Sequence, residues 1–339
     1  MLNNFNTYQD CFRSFVFNRS IVHFAPSKAG RKQFRTIKYQ FMKVLEIHNL
    51  TKQYGRITAV NHLNLDVEQG QIYGILGPNG SGKTTTLGIV LGIINANNGN
   101  YQWFEGQYGN GAGALRQIGS LLETPNFYPY MNAVQNLEVV AHIKRANNVD
   151  FDTILKLVNL AHRKDAQFRT YSLGMKQRLA IGATMVGDPS VLIFDEPTNG
   201  LDPTGIAEVR ETILNIAAQG KTIFMASHIL DEVEKVCSHV AIIKNGNLLM
   251  TGEVGSLLNK DITIEIAAQN NEILRGVLSE ASFVSNIEIK PNFLIIQIKE
   301  GYSTFDVNHL AIQKGIVLTH LNERKRRLEE EFLQITSKN

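Results

Sequence analysis

The 339-residue chain predicts an α/β fold followed by a smaller α+β domain. Three observations carry this. A glycine-rich loop, GPNGSGKT at 77–84, sits between an apolar strand-like run at 71–76 and a helix-like run at 84–94. A second apolar run, 191–194, ends in the adjacent carboxylates Asp195 and Glu196. Past the glycines at 246, 252 and 255, the hydrophobic pattern reads as strand, helix, two strands, helix and strand. Hydrophobic residues make up 43% and charged residues 19%, a globular composition that excludes a disordered chain.

The first 41 residues show no clean period. They hold seven basic residues and one acid, Asp10. The whole chain has a formal charge of +3, so 42–339 is net −3, with 27 basic against 30 acidic residues. The basicity therefore belongs to the leader. The leader is expected to be sequence upstream of a true start at Met42, because strand alternation begins at once in MKVLEIHNLTKQYG; a targeting arm and a nucleic-acid or lipid-binding tail are the alternatives. Peptides from 1–41 in the native protein would overturn that expectation. Two cysteines, Cys11 and Cys237, exclude a disulfide scaffold and a four-cysteine zinc site. The longest uncharged stretch, 84–104, is broken by Asn95, Asn97, Asn98 and glycines, so no membrane span is expected.

The loop at 77–84 matches GxxxxGK[ST] in its required strand–loop–helix context. Gly77, Gly80 and Gly82 let backbone N–H groups turn inward around phosphate oxygens, with Pro78, Asn79 and Ser81 between them. Lys83 brings charge to the β- and γ-phosphates, Thr84 a hydroxyl to Mg²⁺, and Thr85 continues into a helix whose positive end faces the phosphates. At the second strand end, Asp195 is placed to hold Mg²⁺. Glu196 is placed to act as general base or to orient the attacking water.

With these residues in hand, 42–255 resembles the ATP-binding cassette (ABC) ATPases. Six stretches match in order: Tyr54 in LTKQYG; the phosphate loop; Glu123 in LLETP; YSLGMKQR at 171–178; LIFDEP with the 200–202 GLD; and Ser227-His228. The resemblance implies a phosphate-loop NTPase of the ABC ATPase fold with a helical subdomain at about 124–188. It implies ATP and Mg²⁺ as ligands. Tyr54 would stack on adenine, and Thr84, Asp195 and Glu123 would surround the metal. Glu196 and His228 would form the catalytic pair. Ser172, Leu173, Gly174 and Met175 would form a signature acting across a dimer, and Asp202 would link the two sites.

Two departures stand out. Met175 and Lys176 replace the second glycine and the glutamine of the LSGGQ signature, while Ser172 and Gly174 remain. Ser172 is expected to cap the following helix, leaving its N-terminus to face phosphate. Glu123 replaces the glutamine of the Q-loop. Altered Mg²⁺ handling is expected from this, and an unchanged Mg²⁺ dependence in Glu123→Gln would overturn it.

Both variants, with FYPYMNAVQNL after Glu123, resemble the bacterial exporter ATPases of the bacitracin-resistance and lantibiotic-immunity type. That implies a separate membrane permease and a location at the cytoplasmic face of the membrane. It also implies a head-to-tail pair with a second copy or a paralogue, and export of a drug, antimicrobial peptide or lipid. A helical pattern at 132–146 and 154–160 fits the subdomain, and Phe127, Tyr128, Tyr130 and Met131 are candidate docking residues for the permease. From 256 to 339, strands at 262–267, 284–289, 293–299 and 316–320 and helices at 272–280, 305–314 and 327–335 predict a ferredoxin-like βαββαβ accessory domain with a final helix. The alternative function is a soluble ABC-type ATPase acting on nucleic acid or the ribosome. The net acidity of 42–339 and the single phosphate loop argue against it, so no nucleic-acid partner is expected.

Overall fold

A computed structural model describes residues 22–23, 35–36, 42–109, 111–122, 126–258, 262–299 and 301–324. The chain divides into two compact units, Met1–Met42 and Lys43–Asn339. In the first, β1 (Val22–His23) pairs antiparallel with β2 (Arg35–Thr36).

The second unit opens with β3 (Lys43–Tyr54) and β4 (Ile57–Glu68), antiparallel arms joined by a turn in which Gly55 takes a φ of 58°. β5 (Ile72–Leu76) is buried along its whole length, and α1 (Lys83–Val90) follows the glycine-rich loop. α1 stops four residues before the end expected from its apolar pattern. Gly92 is left-handed and donates to Ile89 O at 2.8 Å, while Ile93 donates to Gly88 O at 2.9 Å. That is a Schellman stop, which a glycine permits without strain.

β6 (Asn98–Trp103) pairs with β3, giving a three-stranded sheet in the order β4-β3-β6. After α2 (Ala112–Leu115) and β7 (Ile118–Leu121) come three helices, α3 (Ala133–Lys144), α4 (Phe151–Leu157) and α5 (Leu173–Thr184). Asn132 and Gln135 close a reciprocal capping box at the start of α3. The chain then alternates: β8 (Val191–Asp195), α6 (Pro203–Ala217), β9 (Thr222–Ser227), α7 (Leu230–Val236), β10 (His239–Lys244), β11 (Asn247–Glu253) and α8 (Val254–Leu258).

The main sheet has the order β11-β10-β5-β9-β8-β7; β11 is antiparallel and the rest are parallel. Its central strands, IYGIL, VLIFD and TIFMAS, are buried along almost their whole length because both faces are covered. The register sets Leu76 beside Ser227 and Asp195 beside Ala226. The carboxyl ends of β5, β9 and β8 therefore finish side by side. This is where open α/β sheets bind ligands, since the loops leaving adjacent strands part there.

The last elements are β12 (Ile262–Ala268), α9 (Asn271–Ser279), β13 (Val284–Ile289), β14 (Leu294–Ile298), α10 (Thr304–Gln313) and β15 (Leu318–Arg324). Their sheet runs β13-β14-β12-β15, antiparallel throughout, which is the ferredoxin-like order. It has its own core of Ile264, Ile266, Leu274, Leu278, Leu294, Ile296, Ile298 and Val307. β15 begins two residues later than the hydrophobic pattern predicts and runs four further. Left-handed Gly315 ends α10, and Ile316 N–H is spent on Ala311 O at 2.9 Å. Pairing with β12 then carries the strand on to Arg324. The helix expected at 327–335 lies outside the described residues. Among the described residues, no helix is long and apolar enough to cross a membrane.

Candidate functional site

The loop from 77 to 84 is shaped by close backbone contacts. A Cβ on Gly77 would lie 2.2 Å from Ile243 O, and one on Gly82, at a φ of 108°, would lie 2.2 Å from Ala59 O. Only glycine fits at either point. Pro78, Asn79 and Gly80 form the exposed rim of the loop, while Ser81 is buried with its hydroxyl oxygen unpartnered. Ser81 N–H returns to Pro78 O at 3.1 Å and Thr86 N–H to Gly82 O at 2.9 Å. α1 starts at Lys83 with no side-chain cap and no acid in its first turn. Its free N–H groups and positive end thus remain available to an anion at the loop.

Lys83 is 5% exposed and folds back over the loop. Its ammonium donates to Gly77 O at 2.8 Å and Pro78 O at 3.3 Å and lies 3.2 Å from Glu196 Oε1. The contact with Glu196 is an ion pair without hydrogen-bond alignment, since Oε1 has no hydrogen-bond partner. The other oxygen, Glu196 Oε2, lies 2.8 Å from His228 Nδ1 and also receives His228 N–H at 3.3 Å. A carboxylate only accepts, so this geometry needs the proton on Nδ1. Glu196 is itself held in the left-handed region at a φ of 49°, with its N–H donated to Ala226 O at 3.0 Å. Strain of that kind is retained where the surroundings over-determine a side chain's aim.

Asp195, the last residue of β8, is half-buried. Burial raises its pKa, and the Glu196 charge pushes the same way; the Thr84 hydroxyl, which is hydrogen-bonded to it, and the Lys83 charge pull it down. Its Oδ1 is buried with no hydrogen-bond partner. An uncompensated carboxylate oxygen beside a hydroxyl is a hard-oxygen donor set, and it fits Mg²⁺. That ion takes one or two protein oxygens and completes its shell with water and phosphate. Among the described residues there is no cluster of three His, Cys, Asp or Glu that would make an all-protein metal cage.

The structure thus brings the loop, Lys83, Thr84, Asp195, Glu196 and His228 into one site. Thr85 is half-buried in the first turn of α1. Tyr54 stands exposed at the end of β3, with the Lys52 ammonium 5.0 Å above its ring. The signature residues are joined to α6. Ser172 caps α5 by accepting from Met175 N–H at 3.2 Å. A Cβ on Gly174 would lie 3.5 Å from Gly205 Cα, an ordinary contact. Leu173 is exposed, whereas the Met175 side chain turns inward against the core. Asp202 caps α6, accepting from Gly205 N–H at 2.8 Å. Glu123 lies outside the described residues.

Of the docking candidates, Phe127 packs edge-on against Phe168 at 5.3 Å, while Tyr128 and Tyr130 are 57% and 73% exposed. Sequence reasoning missed Thr198, buried with its hydroxyl unpartnered two residues beyond Glu196. It also missed the ion pairs Arg178–Glu208 and Arg210–Glu232. Spacing along the chain carries no signal for pairs that meet across helices.

The family model described as ABC transporter matches residues 60–199. The bacitracin transport ATP-binding protein BcrA of Bacillus licheniformis is 36% identical over 299 residues, 86% of this chain and 97% of its own length. BcrA of Enterococcus faecalis is 33% identical over 297 residues, again 86% of this chain and 96% of its own. The lantibiotic transport ATP-binding protein SrtF of Streptococcus pyogenes is 37% identical over 231 residues, 68% of this chain and 98% of its own. Among solved structures, cbiO1 of Clostridium perfringens, part of the ABC transporter complex cbiONQ, matches with a TM-score of 0.58 at 25% identity. The match covers 70% of this chain and 96% of that one.

Proposed function

We propose that this chain, which belongs to the ABC transporter family as an ATP-binding, ATP-hydrolysing subunit, powers the export of an antimicrobial peptide or similar amphiphile through a separate permease. The reading of the chemistry rests on one observation, the chain of contacts from Lys83 through Glu196 to His228. The loop N–H groups and Lys83 hold the phosphates of ATP. Glu196 accepts the proton of the attacking water, and His228 fixes which way its carboxylate points. Asp195 and Thr84 hold Mg²⁺, with Glu123 as a further candidate ligand. When bound, the ion neutralises charge on the phosphate oxygens. Tyr54 offers a ring face to the adenine.

The dimer is carried over from the family, in which the signature acts on the nucleotide of a second cassette. The Ser172–Met175 turn is fastened to α6, and the chain has one phosphate loop. A head-to-tail pair, with a second copy or a paralogue, would put Ser172 and Gly174 against the partner's nucleotide, and Asp202 would sit at the start of α6 between the two sites. The exposed Tyr128 and Tyr130 are offered as permease contacts, which would hold the chain at the cytoplasmic face of the membrane. The peptide-export reading is carried over from the bacitracin and lantibiotic transport relatives.

Two experiments test this. Glu196→Gln should trap an ATP-dependent dimer on size exclusion; a monomer at saturating ATP and Mg²⁺ would overturn the paired arrangement. Co-expression with a candidate permease, a protein with about six apolar spans encoded in a neighbouring gene, should give a co-purifying complex that raises resistance to bacitracin-like or lantibiotic peptides. A complex that leaves resistance unchanged would overturn the substrate class.

A further inference from the structure

Helix α6 is held on two opposite sides by charge pairs. Glu208 and Arg210 are two residues apart, so they project about 200° from each other around the helix. On one side Glu208 Oε2 meets Arg178 Nη2 of α5 at 3.1 Å. Arg178 is 4% exposed, and its Nη1 also donates to Val158 O at 3.0 Å and Asn159 O at 2.9 Å, just past α4. On the other side Arg210 grips Glu232 of α7 through two parallel bonds, Nε to Oε2 at 3.1 Å and Nη2 to Oε1 at 2.7 Å. Glu232 is 3% exposed. A planar fork on a buried carboxylate fixes orientation as well as distance.

The ends of this arrangement carry the chemistry. α7 has seven residues and no side-chain cap; Val233 and Val236 seat it in the core, and Glu232 ties it to α6. His228 lies in the bend between β9 and α7, four residues before Glu232, and holds Glu196. α5 begins at the Ser172 cap, where Gly174 packs on Gly205 at the start of α6. Between α4, α5 and α6 lies a polar cleft of about 280 Å³ lined by Lys156, Asn159, Arg178, Glu208, Glu211 and Asn215. Arg178 and Glu208 bridge this cleft, so α5 bears on α6 there through the ion pair.

We propose that α6 is a strut through which the position of the α5 N-terminus sets the position of His228 against Glu196, with Arg178, Glu208, Arg210 and Glu232 as positioning residues for hydrolysis. This rests on the reading of His228 as the group that orients Glu196. A displacement of the signature helix, as on engaging a partner's nucleotide, moves Arg178, then Glu208 and α6, then Arg210, Glu232 and, through the bend that leads into α7, His228. None of the four positioning residues needs to touch ATP.

The test uses the full-length chain and compares Glu208→Gln, Glu232→Gln, the double variant and His228→Ala. Steady-state ATPase kinetics are read beside the ring ¹⁵N signals of His228. Glu208 is partly solvent-accessible, so Glu208→Gln keeps the test open if Glu232→Gln fails to fold. Each glutamine variant should lower kcat about five-fold with the KM for ATP unchanged, and the double variant should fall no further than the worse single. Glu208→Gln should also shift the His228 ring signals, although the two side chains belong to different helices. Losses of kcat that multiply independently, or a lowered melting temperature with kcat and ring signals unmoved, would overturn the strut. If His228→Ala loses activity while both glutamine variants keep it, the strut fails and the His228 assignment stands. If His228→Ala keeps full kcat, the assignment fails and the strut loses its target with it.

Discussion

The nucleotide site and the four-stranded domain at 262–324 are built to opposite standards. Around the loop, buried polar atoms go without hydrogen bonds: Ser81 Oγ, Asp195 Oδ1, Glu196 Oε1 and Thr198 Oγ1. Glu196 is held in left-handed backbone, and Gly77 and Gly82 leave no room for a methyl group. In the four-stranded domain, no described non-glycine residue has a positive φ, and no described buried side chain lacks a partner. Its helices start in good order. Asn270 accepts from Glu272 and Ile273 N–H at the head of α9, and Asp306 accepts from Ser303 N–H at 2.8 Å at the head of α10. Local rules are kept where the only demand is to fold. They are broken around the glycine-rich loop, where the proposed function needs donors and acceptors left free for phosphate and metal.

This contrast can be broken or sharpened by substitution. The largest effect belongs to Glu196→Gln, which removes the proton acceptor while keeping the shape. Hydrolysis should fall about 10²- to 10³-fold with ATP binding retained. Steady-state and single-turnover assays check it, and a loss below ten-fold would make Glu196 a structural acid. Next is Ile296→Ala at the centre of the second core, where the side chain is fully buried. It should cost about 2–5 kcal/mol of that domain's stability in denaturant unfolding. Turnover per folded molecule should stay unchanged, and a matching loss of turnover would mean that the two regions are coupled.

Gly82→Ala comes third. A Cβ there meets Ala59 O and must adopt a left-handed φ, so stability should drop by at least about 2 kcal/mol. Nucleotide affinity should fall with it, read by equilibrium titration; preserved affinity would show that the loop can re-form elsewhere. The smallest effect is Asp306→Asn. The Ser303 N–H and hydroxyl hold the Asp306 carboxyl below its ordinary pKa. Its contribution is therefore complete above the unfolded-state pKa and disappears as pH falls through the lowered folded value. The wild-type domain should lose slightly more stability than the variant on acidification, and coincident acid limbs would remove the cap from the account.

Much of this protein was legible in the chain because its signals are local. GPNGSGKT between an apolar strand and a helix announces a phosphate loop, since glycines must free backbone N–H groups there. The apolar run ending in Asp195 and Glu196 announces the carboxylates. The Lys290-Pro-Asn292 turn and the alternation around it announce the β13–β14 hairpin, whose first strand has the bounds its pattern predicts. The stop at Gly92, four residues early, and the true extent of β15 were less legible, because each depends on a hydrogen-bond partner that the local pattern does not name.

By itself, then, the sequence determined the class of chemistry, the candidate phosphate-loop and acidic residues, and the order of elements in the four-stranded domain. These follow from composition within windows of about ten residues. Tertiary structure alone decided that Lys83, Glu196 and His228 meet within 3.2 Å, because strand order places β5, β9 and β8 side by side although their residues are far apart in the chain. It alone decided that Gly174 leans on α6 at Gly205, and that Arg178 and Arg210 find Glu208 and Glu232 on either side of that helix. The physical reason is the same in each case. Helix and strand periods say which way a side chain faces, and only packing says what it faces.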